Sequence, residues 1–180
     1  GRLTVFQNRR WDSEQLTLAG LLARGELGRV HRFERRWERF RPVPQQRWKE
    51  NDPEGGGLLL DLGVHLVDSA VQLFGPVATV AAELRAITTP ALDDVVLALT
   101  HAPDADGHQV ISHLYAGSLV GAPGPRTRVL GEKGSYLVTC YEGEATPFGA
   151  FDDARGVPPH EGWLVRGAER EPVPAAPRPG

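Results

Sequence analysis

Five short apolar runs fill the middle of the chain: Val77–Ile87, Asp94–His101, Gln109–Tyr115, Arg126–Leu130 and Ser135–Val138. Each is rich in Val, Leu, Ile or Thr, and Pro, Asp and Gly turns separate them. Such runs predict strands that follow one another without intervening helices, so they must pair as an antiparallel or mixed sheet. The helical patterns come earlier. Helices first and strands late predict an α+β fold with helices packed on one face of a largely antiparallel sheet.

Asp12 or Ser13 is placed to cap a helix, with Glu14 in its acidic first turn, Leu16, Ala19, Leu22 and Ala23 at helical spacing, and Gly25 or Gly28 to end it. Leu3–Phe6 reads as a short strand. Arg29–Arg41 reads two ways: Val30, Phe33, Trp37 and Phe40 have helical spacing, whereas Phe33, Arg35 and Trp37 alternate as in a strand. Pro42 and Pro44 stop either element, and a loop is expected from Gln45 to Gly57. A helix is predicted from Leu58 to Phe74, closed by Gly75-Pro76. Beyond Tyr141 the chain is rich in Gly and Pro. Trp163–Val165 is a compact apolar cluster there, and Glu171–Gly180 reads as a tail without fixed structure.

Charge is unevenly placed. Residues 1–50 hold 12 Lys/Arg against 6 Asp/Glu, while the whole chain has a net charge of −3. The basic residues are interleaved with Glu34 and Glu38, which argues against a nucleic-acid surface and for packing against acidic protein. No run is apolar and long enough for a membrane span. One cysteine, Cys140, permits no intrachain disulfide and fits a reducing, cytoplasmic compartment. The absence of Met, including an initiator, reads as an excised fragment.

Within the helix predicted over 58–74, Asp61, His65, Asp68 and Gln72 fall in about 60° of arc, and nearly every other residue is apolar. A stripe this narrow, acidic and histidine-bearing suggests a site, though an amphipathic helix with an incidental histidine would give the same pattern. Asp61 and His65, at i and i+4, would place a carboxylate where it raises the imidazole pKa and suits it to general acid/base work. The triple glycine Gly55–Gly57 would let backbone approach a ligand closely. The other histidines (His31, His101, His108, His113, His160) are scattered, so no metal site is expected. No G-x-S-x-G, G-x-G-x-x-G or P-loop pattern occurs, and the chain is therefore expected to bind no cofactor itself.

The stretch Gly55-Gly56-Gly57-Leu58-Leu59-Leu60-Asp61-Leu62-Gly63-Val64-His65-Leu66-Val67-Asp68 resembles the G-G-G-x-x-x-D-x-G-x-H-x-x-D signature of the glucose–fructose oxidoreductase / inositol dehydrogenase / MocA family. Val5–Asp12 resembles that family's crossing from its Rossmann domain, Leu27-Gly28-Arg29-Val30 its turn from first helix to first strand, and Gly131–Ser135 its late G-x-x-G-S turn. The resemblance implies an open-faced mixed sheet. Residues 1–11 would be a remnant of the last Rossmann strand and linker, 12–140 the substrate-binding and oligomerisation domain, and 141–180 an extension and tail. It implies a parent oxidoreductase acting on a sugar, polyol or related hydroxy/keto compound, with NAD or NADP held by an N-terminal Rossmann domain and a homo-oligomer built through the sheet face. Asp61 would orient a substrate hydroxyl, and His65 would be the proton partner of a lysine in the other domain. Asn8, Arg10, Trp48, Lys49 and Gly57 are candidates for substrate contact, or equally for surface packing. Arg29–Arg41 would be a strand. The fragment alone would be inactive; the alternative is a non-catalytic binding or assembly module of the same fold.

Overall fold

The ambiguous segment Arg29–Arg41 settles as the central strand of the sheet, β1 (Val30–Glu38). Its alternation is genuine: Phe33, Arg35 and Trp37 are all buried. The competing helical spacing has a local cause. The pairing register slips between Val30 and Arg32, so Val30 and Phe33, three residues apart, are both buried. Phe40, the last residue of the helical pattern, is exposed beyond the strand and only bridges Leu119.

The computed structural model describes residues 1–140 and 160–178. Around β1 the described strands are β2 (Val77–Arg85), β3 (Asp94–His101), β4 (Ile111–Gly117), β5 (Thr127–Gly131), β6 (Gly134–Val138), β7 (Gly162–Arg166) and β8 (Glu169–Val173). They form one sheet in the order β2-β3-β4-β1-β5-β6-β7-β8. The pairing of β1 with β4 is parallel and the other pairings are antiparallel. This is the expected α+β mixed sheet. β8 runs into the segment read as an unstructured tail, because Glu169–Val173 pairs with β7 residue for residue. Of the expected extension, residues 141–159 lie outside the described residues.

The helices are α1 (Ser13–Ala23), the short α2 (Trp48–Asn51) and α3 (Val64–Phe74). Leu18 and Leu21 of α1 and Leu66 and Ala70 of α3 share one buried cluster with Phe33, Leu97, Leu114 and Val129, so both long helices cover the same sheet face. On the opposite face Ala98, His113, Glu34, Arg128 and Leu137 follow one another across paired strands. There Glu34 takes bonds from Arg36 (2.7 Å) and Arg128 (2.5 Å), so part of the basic N-terminal half is neutralised within the sheet. His101 is a core histidine, its ring nitrogens bonded to Gly75 O and Ser112 Oγ. Among the described residues no helix is long and apolar enough to cross a membrane.

Leu3–Phe6, expected as a strand, pairs with nothing among the described residues; Leu3, Val5 and Phe6 are exposed. Extended backbone becomes a strand only beside a partner edge, and none is offered here. The expected loop 45–57 contains α2, which Arg47 and Glu50 cap reciprocally.

The hairpin joining β5 to β6 depends on a close approach. A Cβ added at Gly131 would lie 2.2 Å from Leu27 O, a backbone atom that also accepts the Lys133 N–H. Gly131→Ala is expected to destabilise the chain by about 1–3 kcal/mol, seen as a lower Tm, because backbone rather than a side chain must move. A Tm within about 1 °C of the parent's would show that the Leu27 turn yields freely.

Candidate functional site

The predicted helix 58–74 is not one continuous α-helix. Leu59–Gly63 forms a π-helical turn in which the Val64 N–H reaches back five residues to Leu59 O, and α3 begins after it. Gly63 sits inside this turn, where a Cβ would meet the Leu59 side chain at 3.1 Å. A π turn rotates the preceding residues relative to those that follow, so the i, i+4 rule fails across it. Asp61 therefore lines one cleft and His65 another.

The Asp61 cleft lies beyond the carboxyl ends of the parallel strands β1 and β4, where Arg39 and Ser118 line it. Lys49, from α2, donates to Asp61 Oδ2 at 2.6 Å. The triple glycine makes this possible by accommodating backbone. Gly57 N bonds Lys49 O (2.7 Å) and Leu58 N bonds Leu92 O (2.7 Å). Gly57 has φ +86°, and a Cβ there would lie 2.9 Å from Leu92 N. Glycine thus lets α2 and the loop at Leu92 approach close enough to bring Lys49 and Asp61 together. Asp93 fastens the loop above, accepting from Ile87 N, Thr88 N and the Thr88 hydroxyl.

His65 is half-buried in the second cleft, with Arg9, Arg10, Trp37 and Asp68 among its lining residues. Among the described residues its Nδ1 is buried without a hydrogen-bond partner. Burial and the nearby Arg9 cation push the imidazole below its ordinary 6.5, outweighing Asp61, Asp68 and Asp12. This reverses the expected sign, because burial and Arg9 together outweigh the carboxylates. Arg10 and Asp68 form a two-pronged pair, Nη2 to Oδ1 at 2.6 Å and Nε to Oδ2 at 2.9 Å. Arg9 lies over the Trp37 ring.

Of the candidates for substrate contact, Lys49 and Gly57 line the first cleft and Arg10 the second, where it is committed to Asp68. Asn8, in a 3₁₀ turn, and Trp48 are exposed and line neither. Sequence reading missed a buried polar network under His65. Arg35 donates to Thr127 Oγ1 (3.0 Å), Gln15 Oε1 (2.6 Å) and Ser69 Oγ, while Glu14 accepts from Arg126 (3.3 Å) and Thr127. The available signal was Arg35 itself, on the apolar side of the Phe33/Arg35/Trp37 alternation. Among the described residues no group of three or more His, Cys, Asp or Glu side chains is placed to hold a metal ion.

The family model for the GFO/IDH/MocA C-terminal domain matches residues 16–137. The chain is 41% identical over 136 residues to the uncharacterised oxidoreductase YdgJ of Escherichia coli, covering 75% of this chain and 38% of that protein. It is 33% identical over 177 residues to the scyllo-inositol 2-dehydrogenase (NADP(+)) IolW of Bacillus subtilis, covering 94% and 48%. Among solved structures, yvaA of Bacillus subtilis matches with a TM-score of 0.74 at 30% identity, over 98% of this chain and 52% of that one. The chain thus spans about half or less of the length of these relatives.

Proposed function

Because the chain belongs to the GFO/IDH/MocA oxidoreductase family through its C-terminal domain, we propose that it is the substrate-binding and assembly half of an NAD(P)-dependent oxidoreductase acting on a sugar, polyol or related hydroxy/keto compound. The observation that carries this reading is the outer face of the π turn and α3. There Asp61, His65 and Asp68 stand between two clefts, and Trp11, Leu60 and Val64 are exposed around them. Exposed apolar residues rimming a polar stripe are what a covering domain would bury. The relative named for scyllo-inositol and NADP(+) supports a polyol-like substrate.

NAD or NADP, which supplies or takes the hydride, would sit in an N-terminal Rossmann domain facing this surface. This chain would hold the substrate. Asp61, fixed by Lys49 through Oδ2, has its other oxygen available to orient a substrate hydroxyl. His65, kept neutral by burial and Arg9, is suited to accept a proton. Arg10 pins Asp68 and thereby ties the N-terminal segment to α3. The second role, homo-oligomerisation, would use the sheet face bearing Glu34, His113 and Arg128.

The division of labour is tested by titrating this chain and a full-length oxidoreductase carrying it with NADH and NADPH, followed by nicotinamide fluorescence. The chain alone is expected to give no change up to about 0.1 mM, and the full-length protein to bind in the micromolar range. Micromolar binding by the chain alone would overturn the assignment.

A further inference from the structure

We propose that the β2 edge of the sheet docks β2 of a second copy of this chain, the two strands pairing antiparallel about a twofold axis at Ala82. This contact lies apart from the open sheet face and does not depend on what the two clefts bind. Among the described residues β2 pairs only with β3, and residues 78–85 are exposed throughout. The two edges of the sheet differ. β8, at the far edge, carries Glu169, Arg170, Glu171 and Pro172 within five residues, a composition that keeps a free edge from pairing. β2 has no Pro or Lys in nine residues, and its one register slip lies at its start, between Val77 and Thr79. The apolar side of the sheet also continues onto it. Val80, Ala82 and Leu84 pair with Leu99, Leu97 and Val95, which are buried in the core. One strand further out, Val80 is 63% exposed and Leu84 43%. An apolar row beside open backbone is what an added strand covers.

The register identifies the occupant. Arg85 O accepts the Asp93 N–H at 3.1 Å, on the β3 side. Backbone amides alternate along an antiparallel strand, so Ala81 and Glu83 also turn theirs to β3. Val80, Ala82 and Leu84 turn theirs outward. A twofold axis at Ala82 sets Ala82 against the partner's Ala82 and Val80 against the partner's Leu84. Each outward N–H and C=O of these three residues then has a mate, and the exposed apolar side chains meet on one face. Thr79 meets the partner's Arg85 and Ala81 the partner's Glu83, so no like charges are opposed. An axis at Glu83 would bring the two Glu83 carboxylates together, and one at Ala81 would leave Leu84 opposite the partner's Ala78. In the Ala82 register the partner's Val77 lies beside Ile87, which is exposed and opens the loop whose Thr88, Thr89, Leu92 and Asp93 line the Asp61 cleft. Assembly through β2 thereby braces one wall of that cleft.

The test uses the full 180-residue chain with its one cysteine removed by Cys140→Ser, carrying either Ala82→Cys or Ala78→Cys. Across the axis the Cα atoms of the two copies stand about 5.5 Å apart at position 82, within disulfide reach, and about 26 Å apart at position 78. Under diamide, at about 0.1 mM protein, Ala82→Cys is expected to form a covalent dimer at least about tenfold faster than Ala78→Cys. Adding Val80→Lys is expected to slow the Ala82→Cys reaction about tenfold; should that variant fail to fold, Leu84→Lys gives the same readout. In the unsubstituted chain, hydrogen exchange at the Val80, Ala82 and Leu84 amides is expected to slow as concentration rises, with Ala81 and Glu83 protected throughout. Equal cross-linking of the two cysteine variants, a rate indifferent to both lysine substitutions, or exchange independent of concentration up to about 0.5 mM would each overturn the proposal. The Ala82→Cys cross-link is expected to persist in a full-length oxidoreductase carrying this domain. Its loss there would mean that another domain covers β2, and would overturn the proposal as well. None of these outcomes touches the oxidoreductase reading, which the nicotinamide titration tests separately.

Discussion

Replacing Arg35 with methionine is expected to destabilise the chain by about 3–5 kcal/mol, a fall in Tm on the order of 10 °C. The Arg35 side chain is 6% exposed and joins three elements: α1 through Gln15, α3 through Ser69 and β5 through Thr127. Methionine fills similar volume but donates nothing. Gln15 Oε1 would keep only the Ser69 hydroxyl as a partner, and Glu14 would lose one of its two cations. The loss is large because the partners stay behind buried, not because the intact pair is intrinsically strong. Adding Glu14→Gln to Arg35→Met should therefore recover part of the loss, a non-additivity that independent sites would not show. Arg35→Met within about 0.5 kcal/mol of the parent in urea unfolding would refute this account.

The same network sets an acid limb. Burial alone would push the Glu14 carboxyl up, but Arg35 and Arg126, with bonds from Thr127 and Arg126, hold it down at about 2, against an ordinary 4.5. A carboxylate whose pKa is depressed on folding contributes stability above its unfolded value and loses it as pH falls. This contribution should be complete above about pH 4.5 and vanish as pH approaches 2. It amounts to about 3 kcal/mol at most, and Glu14→Gln should flatten the stability profile across that window.

Much of the scaffold was legible because strand and helix periodicities are local. β3 lies at Asp94–His101 as expected, and α1 begins at Ser13 after Asp12. What failed was pairwise and tertiary. The i, i+4 neighbourhood of Asp61 and His65 assumed an unbroken α-helix, and nothing in Leu58–Gly63 announces the π turn beyond Gly63. Glu14 reads as a first-turn acid complementing the helix dipole, yet it pairs with Arg35 on β1 and with Arg126, just before β5. Asp12 occupies the N-cap position without a side-chain cap bond, its carboxylate taken by Arg9 instead. The glycine run signals a close approach of backbone without naming what approaches, and the fold brings Lys49 and Leu92 there, with Gly57 also on the cleft lining. In each case the residue type was noticed and the partner was not, because that partner is supplied by the fold.

His65→Asn in a full-length oxidoreductase carrying this domain is expected to lower kcat/KM by about 10²–10⁴-fold, with kcat falling in parallel. Asparagine keeps polarity and approximate size, so the Tm should change little; what is lost is a group that takes up a proton near neutral pH. The direction of the His65 shift makes the expectation sharper. Burial first and Arg9 second disfavour the charged imidazolium, so the neutral ring persists below pH 6.5. If neutral His65 accepts the proton, kcat/KM for oxidation of an alcohol should hold steady from about pH 8 down to 6.5 and decline only below that. His65→Asn should remove this decline as well as the rate, whereas a merely structural histidine would leave the shape of the profile unchanged. Conversely, a decline centred above 6.5 would mean that Asp61 or Asp68 governs the ring in the assembled enzyme, and the burial argument would then be wrong. Unchanged kcat/KM in the variant would take His65 out of the mechanism and leave Asp61, with Lys49 behind it, as the group through which this chain acts on its substrate.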